Sequence, residues 1–183
     1  LGKGTKVSER VMGHDKTYEG VFRLGIETDS QDADGRVVAE TDPSAVTAEQ
    51  IAAQMSARLG DQMQTPPMVS AIKLNGVPLY KLARKGQTVE RAAKLVHLYR
   101  FDLLEFTPPD VRFVVECTKG TYVRTLAHDI GQALGVGAHL TRLRRTRIGR
   151  LDIAQAAPLD DLLARPALDD RVIPLAAALP LLD

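Results

Sequence analysis

A strand pattern passes directly into a helix pattern between residues 111 and 134, and this junction limits the fold more than any other feature. Apolar side chains occupy every second position from Val111 to Cys117, which is typical of a strand with one buried face. Gly120 then permits a tight turn. The apolar positions that follow have helical spacing: Val123, Leu126, Ala127, Ile130 and Leu134. A sheet and a helix must therefore share one core.

Further strand patterns occur on both sides of this junction. Residues 17–26 alternate, and the turn dipeptide Asp34-Gly35 precedes a returning strand at 36–40. A Pro-Pro loop separates residues 95–103 from the junction strand, and we expect the two to pair antiparallel. The expected buried face of that run is Leu95, His97, Tyr99, Phe101 and Leu103. With an arginine-rich strand at 140–150, the fold class is α+β, with a mixed, mostly antiparallel sheet and flanking helices.

One helix start is well marked in the sequence. Residues 47–50 have the form of a capping box, with Thr47 as the N-cap. Ile51, Met55 and Leu59 follow at four-residue spacing, which predicts a buried helical stripe that ends at Gly60. Three shorter elements are predicted next: a strand at 68–73, a hairpin turn at Asn75-Gly76 and a helix at 80–85.

Composition excludes several classes of protein. The chain has 183 residues, of which 44% are hydrophobic, so it has enough apolar material for a core. Cys117 is the only cysteine, which excludes an internal disulfide and disfavours a cysteine-based zinc site. It also fits a reducing compartment, and we expect a cytoplasmic protein. No apolar run is long enough to span a membrane.

Charge is strongly segregated along the chain. The formal net charge is only +1, but residues 73–100 contain seven basic residues and one acidic residue, and so do residues 119–150. Seven acidic residues and one basic residue lie at 26–50. The basic segments indicate an anionic partner such as a nucleic acid. The alternative is a solvated charged face that is balanced by the acidic segment.

The stretch Cys117 to Thr125 carries a charge in an unusual place. A helix that begins at about Thr121 would have Arg124 in its first turn, where a cation opposes the helix dipole. This position suggests a partner anion, and the alternative is an arginine that points into water.

This stretch closely resembles the motif of the bacterial tRNA pseudouridine synthase B family. The resemblance covers roughly residues 1–150, is weaker from Leu151 onward, and continues in order through six further stretches: Gly4-Thr5-Lys6, Asp15 to Tyr18, Thr28 to Gly35, Pro67 to Lys73, Gly135 to Leu140 and Leu143 to Arg145.

The resemblance implies a fold, a domain plan and a reaction. It implies a pseudouridine synthase-like catalytic domain at residues 1–150, an RNA-clasping insertion at about 64–94, and a C-terminal helical segment at 151–183. The reaction is the isomerisation of uridine to pseudouridine in the T-loop of tRNA, at position 55. The target base must leave its stack, which is a base-flipping problem. No cofactor and no metal are needed, the partner is the T-arm of tRNA, no membrane is involved, and we expect a monomer.

The resemblance also assigns residue roles. Tyr18 and Arg124 are the expected catalytic residues: the ring of Tyr18 stacks on the everted base, and Arg124 pairs with the catalytic aspartate and keeps it ionised. Asp32, Tyr122 and Leu143 are the expected substrate-binding residues. The expected RNA-binding residues are Lys73, Arg84, Lys85, Arg142, Arg144 and Arg145. The alternatives are a strand tyrosine in the core for Tyr18, a core leucine for Leu143 and a turn residue for Asp32.

The family's nucleophile belongs to a Gly-x-x-Asp-x-x-Ala-x-Gly element upstream of Gly4-Thr5-Lys6. Residues 1–183 do not contain that element, and the residues around Asp129 do not match its pattern. The chain starts at Leu1, and we expect a fragment or a processed chain that lacks its N-terminal portion and is inactive by itself. The alternative is a non-catalytic RNA-binding protein on the same scaffold.

Two other hypotheses fail on spacing. A calcium loop at residues 30–41 would need a bidentate Glu at its last position, which is Thr41. A phosphate-binding loop at Lys119-Gly120-Thr121 has Lys and Gly in the wrong order and lacks the earlier glycine.

Overall fold

The structure is a computed structural model that describes residues 2–74, 76–84, 86–164 and 173–174. Its strands are β1 (Lys16–Leu24), β2 (Ile26–Thr28), β3 (Val37–Glu40), β4 (Gly60–Gln64), β5 (Lys73–Leu74), β6 (Val77–Pro78), β7 (Lys94–Thr107), β8 (Asp110–Cys117), β9 (Ala138–Ile148) and β10 (Leu151–Asp152). Its α-helices are α1 (Ser8–Gly13), α2 (Ala48–Ser56), α3 (Leu79–Ala83), α4 (Val123–Ala133) and α5 (Leu159–Leu163), and 3-10 turns lie at Gly2–Val7 and Ile153–Gln155.

A six-stranded sheet organises the described chain, in the order β10-β9-β1-β8-β7-β4. Every neighbouring pair in it is antiparallel. Two small hairpins, β2–β3 and β5–β6, stand apart from it. This arrangement confirms the predicted α+β class with a mostly antiparallel sheet, including the pairing of β7 with β8.

The core lies on one face of the sheet, beneath α2 and α4. Phe113 is at its centre, with ring centroids 5.7 Å from Phe22 and 5.6 Å from Phe101. Gly20 on β1 makes room for this ring, because a Cβ there would lie 2.6 Å from Phe113 Cζ. The predicted stripe of α4 is confirmed, with Val123, Leu126, Ala127 and Ile130 buried.

The predicted buried face of β7 is wrong in its first half. The structure buries Val96 and Leu98, and leaves Leu95 66% exposed and Tyr99 52% exposed. The pairing of β7 with β8 shifts register between Leu98 and Arg100, and the extra residue reverses which side chains face the core. Phe101 therefore enters the core although it is three residues beyond Leu98.

Smaller predictions meet mixed outcomes. The capping box at Thr47 is confirmed, and Ile51 and Met55 are buried, but α2 ends at Ser56 and leaves Leu59 47% exposed. Gly25, with φ at 87°, divides the strand predicted at 17–26 into β1 and β2. The strand predicted at 68–73 is reduced to β5, and the predicted turn residue Asn75 lies outside the described residues.

Candidate active site

Two hydrogen bonds connect the first turn of α4 to the last residue of β4. Tyr122 is the N-cap, within one residue of the predicted helix start. Its backbone N–H donates to Gln64 Oε1 at 2.7 Å, and Gln64 Nε2 donates back to the Tyr122 carbonyl at 3.1 Å. Gln64 is buried, so this pair satisfies polar groups that water cannot reach. The junction is therefore held in one orientation, and sequence reasoning offered no signal for the role of Gln64.

Arg124 has a carboxylate partner within the chain. Its Nη1 lies 2.6 Å from Asp32 Oδ2, and its Nη2 donates to the carbonyl of Val69. The side chains of Arg124 and Asp32 are 20% and 25% exposed, so the pair is only partly screened by water. The alternative of an arginine in open water is wrong. The anion that the sequence pattern suggested for Arg124 is, in this structure, Asp32.

Several hydrogen bonds hold Asp32 beside Arg124. Its Oδ1 accepts from the Ser30 hydroxyl and from the backbone N–H of Asp34, and its carbonyl accepts from Thr28 Oγ1 at 2.7 Å. A parallel bridge joins Asp32 to Leu140 of β9. The carboxylate is therefore held by the loop between β2 and β3, which we call the acidic loop (residues 29–36).

Gln31 ties the acidic loop to the two elements that carry the site. Its carbonyl accepts from the N–H of Leu140 at 3.0 Å, and its side-chain oxygen accepts from Thr125 Oγ1 at 2.8 Å. Its φ of 66° is uncommon for a residue other than glycine, and these contacts hold it there. The loop, α4 and β9 thus form one assembly around Arg124.

A cleft of about 1000 Å³ opens between the acidic loop and residues 68–88. Arg124, Asp32, Ser70, Tyr80 and Arg84 are among its lining residues. The guanidinium of Arg84 lies 5.5 Å from the centre of the Tyr80 ring, a cation–π contact. Of the three cations predicted in the insertion, Arg84 lines the cleft, Lys73 lies on β5, and Lys85 lies outside the described residues.

Tyr18 lies at the head of β1, half-buried against the core. In the sheet it is opposite Val115 of β8 and Arg145 of β9. Burial raises the pKa of Tyr18 and the neighbouring Cys117 adds to the rise, while the guanidinium of Arg145 lowers it. The phenol therefore stays protonated at neutral pH, with a cation beside it.

Leu143 shares the sheet face of Tyr18. It lies opposite Gly20, the next position of β1 on that face, and is 45% exposed. The alternative of a core leucine is therefore wrong. Because Arg145 is on this face too, an apolar, a phenolic and a cationic side chain meet at one end of the sheet.

The remaining predicted arginines point elsewhere. Arg144 is opposite Glu19 and Arg142 is opposite Val21, so both lie on the sheet face away from Tyr18. Their role in binding RNA stays a prediction.

Tyr18 lies at the head of β1, and Arg124 lies in the first turn of α4. Helix α4 leads back through a short turn into β9, which is antiparallel to β1, and the N–H of Gly25 donates to Gly137 in that turn at 3.0 Å. The guanidinium of Arg124 contacts Asp32, which is bridged to Leu140, whereas Tyr18 is opposite Arg145 on the same strand. Arg124 lines the cleft and Tyr18 is not among the described lining residues, so their convergence on one cavity stays a prediction.

The described residues contain no group of three or more His, Cys, Asp or Glu side chains that is placed to hold a metal ion. At the loop that was rejected above as a calcium site, Asp32 is paired with Arg124 and the preceding Asp29 with Arg36 at 3.0 Å, and these cations would repel Ca²⁺. Within the same residues, no helix has the length and hydropathy that a membrane span needs.

Similarity to known proteins is extensive. The chain is 49% identical over 182 residues to tRNA pseudouridine synthase B of Opitutus terrae, which covers 98% of this chain and 76% of that protein. It is 48% identical over 182 residues to the protein of the same name from Symbiobacterium thermophilum, and this alignment covers 98% of this chain and 60% of that protein. It is 49% identical over 166 residues to that of Ralstonia pickettii, with 88% and 52% covered. The chain therefore spans between about half and three quarters of the length of these relatives.

Solved structures share the fold. A Cbf5-Nop10-Gar1 complex aligns with a TM-score of 0.68 and 29% identity, covering 94% of this chain and 43% of the matched chain. An H/ACA RNP bound to a substrate RNA containing 2'-deoxyuridine aligns with a TM-score of 0.61 and 26% identity, covering 89% and 38%.

Two family models match almost the whole sequence. That of the TruB family pseudouridylate synthase N-terminal domain matches residues 1–123, and that of the tRNA pseudouridylate synthase B C-terminal domain matches residues 124–180. They confirm the expected pseudouridine synthase-like fold. The chain belongs to the TruB family of pseudouridylate synthases.

Proposed function

We propose that the protein converts uridine to pseudouridine in the T-loop of tRNA, at position 55, as a monomer in the cytoplasm and without a cofactor. The observation that carries the proposal is the position of Arg124, a partly buried guanidinium at the front of α4 that forms part of the wall of a large cleft. The names of its relatives support tRNA as the substrate, and the substrate RNA bound to a structural neighbour supports RNA as the ligand.

In the proposed reaction one glycosidic bond breaks, another forms, and one proton changes position on the base. The bond between the ribose C1' and N1 of uracil breaks, the base rotates, and a bond between C1' and C5 forms. The proton that leaves C5 is balanced by the proton that N1 gains. An aspartate of the family's Gly-x-x-Asp-x-x-Ala-x-Gly element acts as the nucleophile, and Arg124 keeps it ionised. The Tyr18 phenol, protonated at neutral pH, stacks on the everted base and handles the proton at C5.

Asp32 has a defined place in this scheme. Its carboxylate lies 2.6 Å from Arg124 Nη1 and positions the guanidinium in the partly buried site. The family resemblance gives the same carboxylate a role in base flipping or in RNA contact.

The second candidate is an RNA-binding protein without catalysis. The Gly-x-x-Asp-x-x-Ala-x-Gly element does not occur in the 183 residues, and Arg124 is already paired with Asp32. The cleft and the basic segments serve this function equally well, so RNA binding alone does not separate the two candidates.

Tritium release from C5 of uridine separates them. The assay uses the protein that is encoded by the whole reading frame containing these residues, with a tRNA transcript labelled at C5 of its uridines. We expect release equivalent to one uridine per tRNA, abolished when the T-loop uridine is replaced by cytidine. Tight tRNA binding without release would favour the non-catalytic candidate, and release that survives the replacement would refute the T-loop assignment.

A further inference from the structure

Arg145 is an arginine without a carboxylate partner on the sheet face that carries Tyr18. It is exposed, and among the described residues no acidic side chain forms an ion pair with it. The opposite face of the sheet differs, because four arginines there each pair with a carboxylate: Arg23 with Asp110, Arg100 with Asp102, Arg112 with Glu19 and Arg147 with Glu116. The Arg145 guanidinium is therefore a positive charge that the described protein does not neutralise.

A bulge in β9 produces the difference between Arg145 and Arg147. In a regular strand, residues two positions apart lie on the same face of the sheet. Here Arg145 is opposite Tyr18 and Arg147 is opposite the preceding Thr17, so Thr146 is an extra residue in β9. The Thr146 hydroxyl donates to the Thr17 carbonyl at 3.3 Å. The bulge turns Arg147 to the other face, where its carboxylate partner lies, and leaves Arg145 beside the phenol.

Two lysines add to the positive charge around Arg145. Lys16 lies two residues before Tyr18 on β1, and its Nζ donates to two backbone carbonyls, at 2.7 and 2.6 Å. Burial lowers the pKa of the Lys16 ammonium, and the charges of Arg145 and Lys119 lower it further, while Asp15 raises it. Because like charges that are gathered in one place repel one another, an anion among them would be favourable.

The groups beside these cations indicate that the anion is a phosphodiester. A guanidinium presents paired N–H donors that match the oxygens of a phosphate. An inorganic anion would need only such donors, whereas Tyr18 and the 45% exposed Leu143 add an aromatic and an apolar surface on the same face. A nucleotide whose base lies against that surface carries a phosphate on each side of its ribose. Arg145, directly opposite Tyr18 in the sheet, is placed to receive one of the two.

We propose that Arg145 binds one of the two backbone phosphates that flank the everted uridine and so holds that nucleotide against Tyr18. The inference rests on the proposed function. It adds the group of the substrate that this arginine binds and gives a functional reason for the bulge at Thr146.

The first test compares Arg145→Ala and Arg145→Lys with Arg112→Ala in the full-length protein. Arg112 is the control, because it lies on the opposite face of the sheet, 3.5 Å from Glu19. Kd for T-arm RNA is measured at several potassium chloride concentrations, together with the melting temperature and kcat for tritium release. We expect Arg145→Ala to raise Kd about fivefold to tenfold and to make the slope of log Kd against log salt shallower by about 0.7–0.9. Arg145→Lys should keep the wild-type slope, and Arg112→Ala should match the wild type throughout.

The second test locates the phosphate. T-arm RNAs are prepared in which the linkage on the 5' side or on the 3' side of the target uridine is a methylphosphonate, which carries no charge. The wild type should bind one of these two RNAs more weakly, by about the factor that Arg145→Ala costs with unmodified RNA. The Arg145→Ala variant should bind that RNA and the unmodified RNA equally. Equal sensitivity of the wild type and the variant to both neutral linkages would overturn the contact.

Failure of this inference differs from failure of the proposed function. A wild type that neither binds T-arm RNA nor releases tritium overturns the proposed function. An active wild type whose Arg145→Ala variant keeps its Kd and salt slope overturns only the phosphate contact, and so does a variant that loses kcat alone. A loss of affinity that is shared by Arg145→Lys and accompanied by a lower melting temperature would show a structural role and would also overturn the contact.

Discussion

The carboxylate of Asp32 lies 2.6 Å from the guanidinium of Arg124, across 92 residues of sequence. This ion pair joins the acidic loop to the front of α4. It also gives the arginine an internal partner in the one place where the proposed reaction needs a cation beside a nucleophile.

Arg124→Ala in the full-length protein should lower kcat at least about 100-fold and raise Kd for tRNA less than about threefold, because in the proposed mechanism the cation acts on the reacting carboxylate. Tritium release and a filter-binding assay measure the two quantities. Arg112→Ala is the matched control, since within the described part of the chain that arginine has one exposed ion-pair contact, of 3.5 Å with Glu19. Equal losses of turnover and binding would reduce Arg124 to an RNA contact.

The pair should also couple thermodynamically. Asp32→Ala removes one partner of a partly buried ion pair and leaves the Ser30 hydroxyl with only the longer bond to the backbone carbonyl of residue 32, at 3.4 Å, so we expect about 1–3 kcal/mol of lost unfolding free energy. In a double-mutant cycle with Arg124→Ala, urea denaturation should give a coupling energy of about 1 kcal/mol. Additive effects of the two substitutions would show that the contact does not persist in solution.

Gly131 allows α4 to approach the start of β9. A Cβ there would lie 2.3 Å from the backbone nitrogen of Ala138, so Gly131→Ala must move backbone. We expect about 3 kcal/mol of destabilisation, which outweighs the gain of about 1 kcal/mol in helix propensity. Gly13→Ala is the control, because a Cβ at Gly13 meets nothing within 4 Å. Equal stability of the two variants by urea denaturation would refute the close approach.

The thiol of Cys117 should be unreactive in the folded protein. It is fully buried, and burial raises its pKa from 9.0 to about 11. We therefore expect iodoacetamide at pH 8 to label it only after denaturation. Because the folded pKa is the higher one, the protonated thiol favours the folded state below pH 9, and this contribution is lost as pH rises from 9 to about 11. Rapid labelling of native protein would contradict the burial.

Binding of tRNA should weaken steeply with salt. If the basic segments at 73–100 and 119–150 neutralise phosphates, log Kd rises linearly with log salt, by about 0.9 for each phosphate contacted. Fluorescence anisotropy at several potassium chloride concentrations measures this slope. A flat dependence would exclude these segments as the docking surface.

The parts of the fold that were predictable from sequence follow local rules. The stripe of α4 and the face of β8 came from periodicity, and the cap at Thr47 came from a four-residue motif. The prediction of the buried face of β7 failed because the pairing with β8 sets a bulge at Leu98, and no local sequence pattern encodes that pairing. The contacts of Arg124 with Asp32 and Val69 likewise depend on tertiary structure, because they join segments 92 and 55 residues away.

The bonds between Gln64 and Tyr122 have a consequence for how the protein responds to RNA. Residues 64–94, the expected clasping insertion, start at the same point where α4 starts, and Val69 within them holds Arg124 as well. A ligand that displaces the insertion must also displace the guanidinium. If the proposed function is right, a substitution that moves the Val69 carbonyl should also move the Arg124 guanidinium and lower turnover.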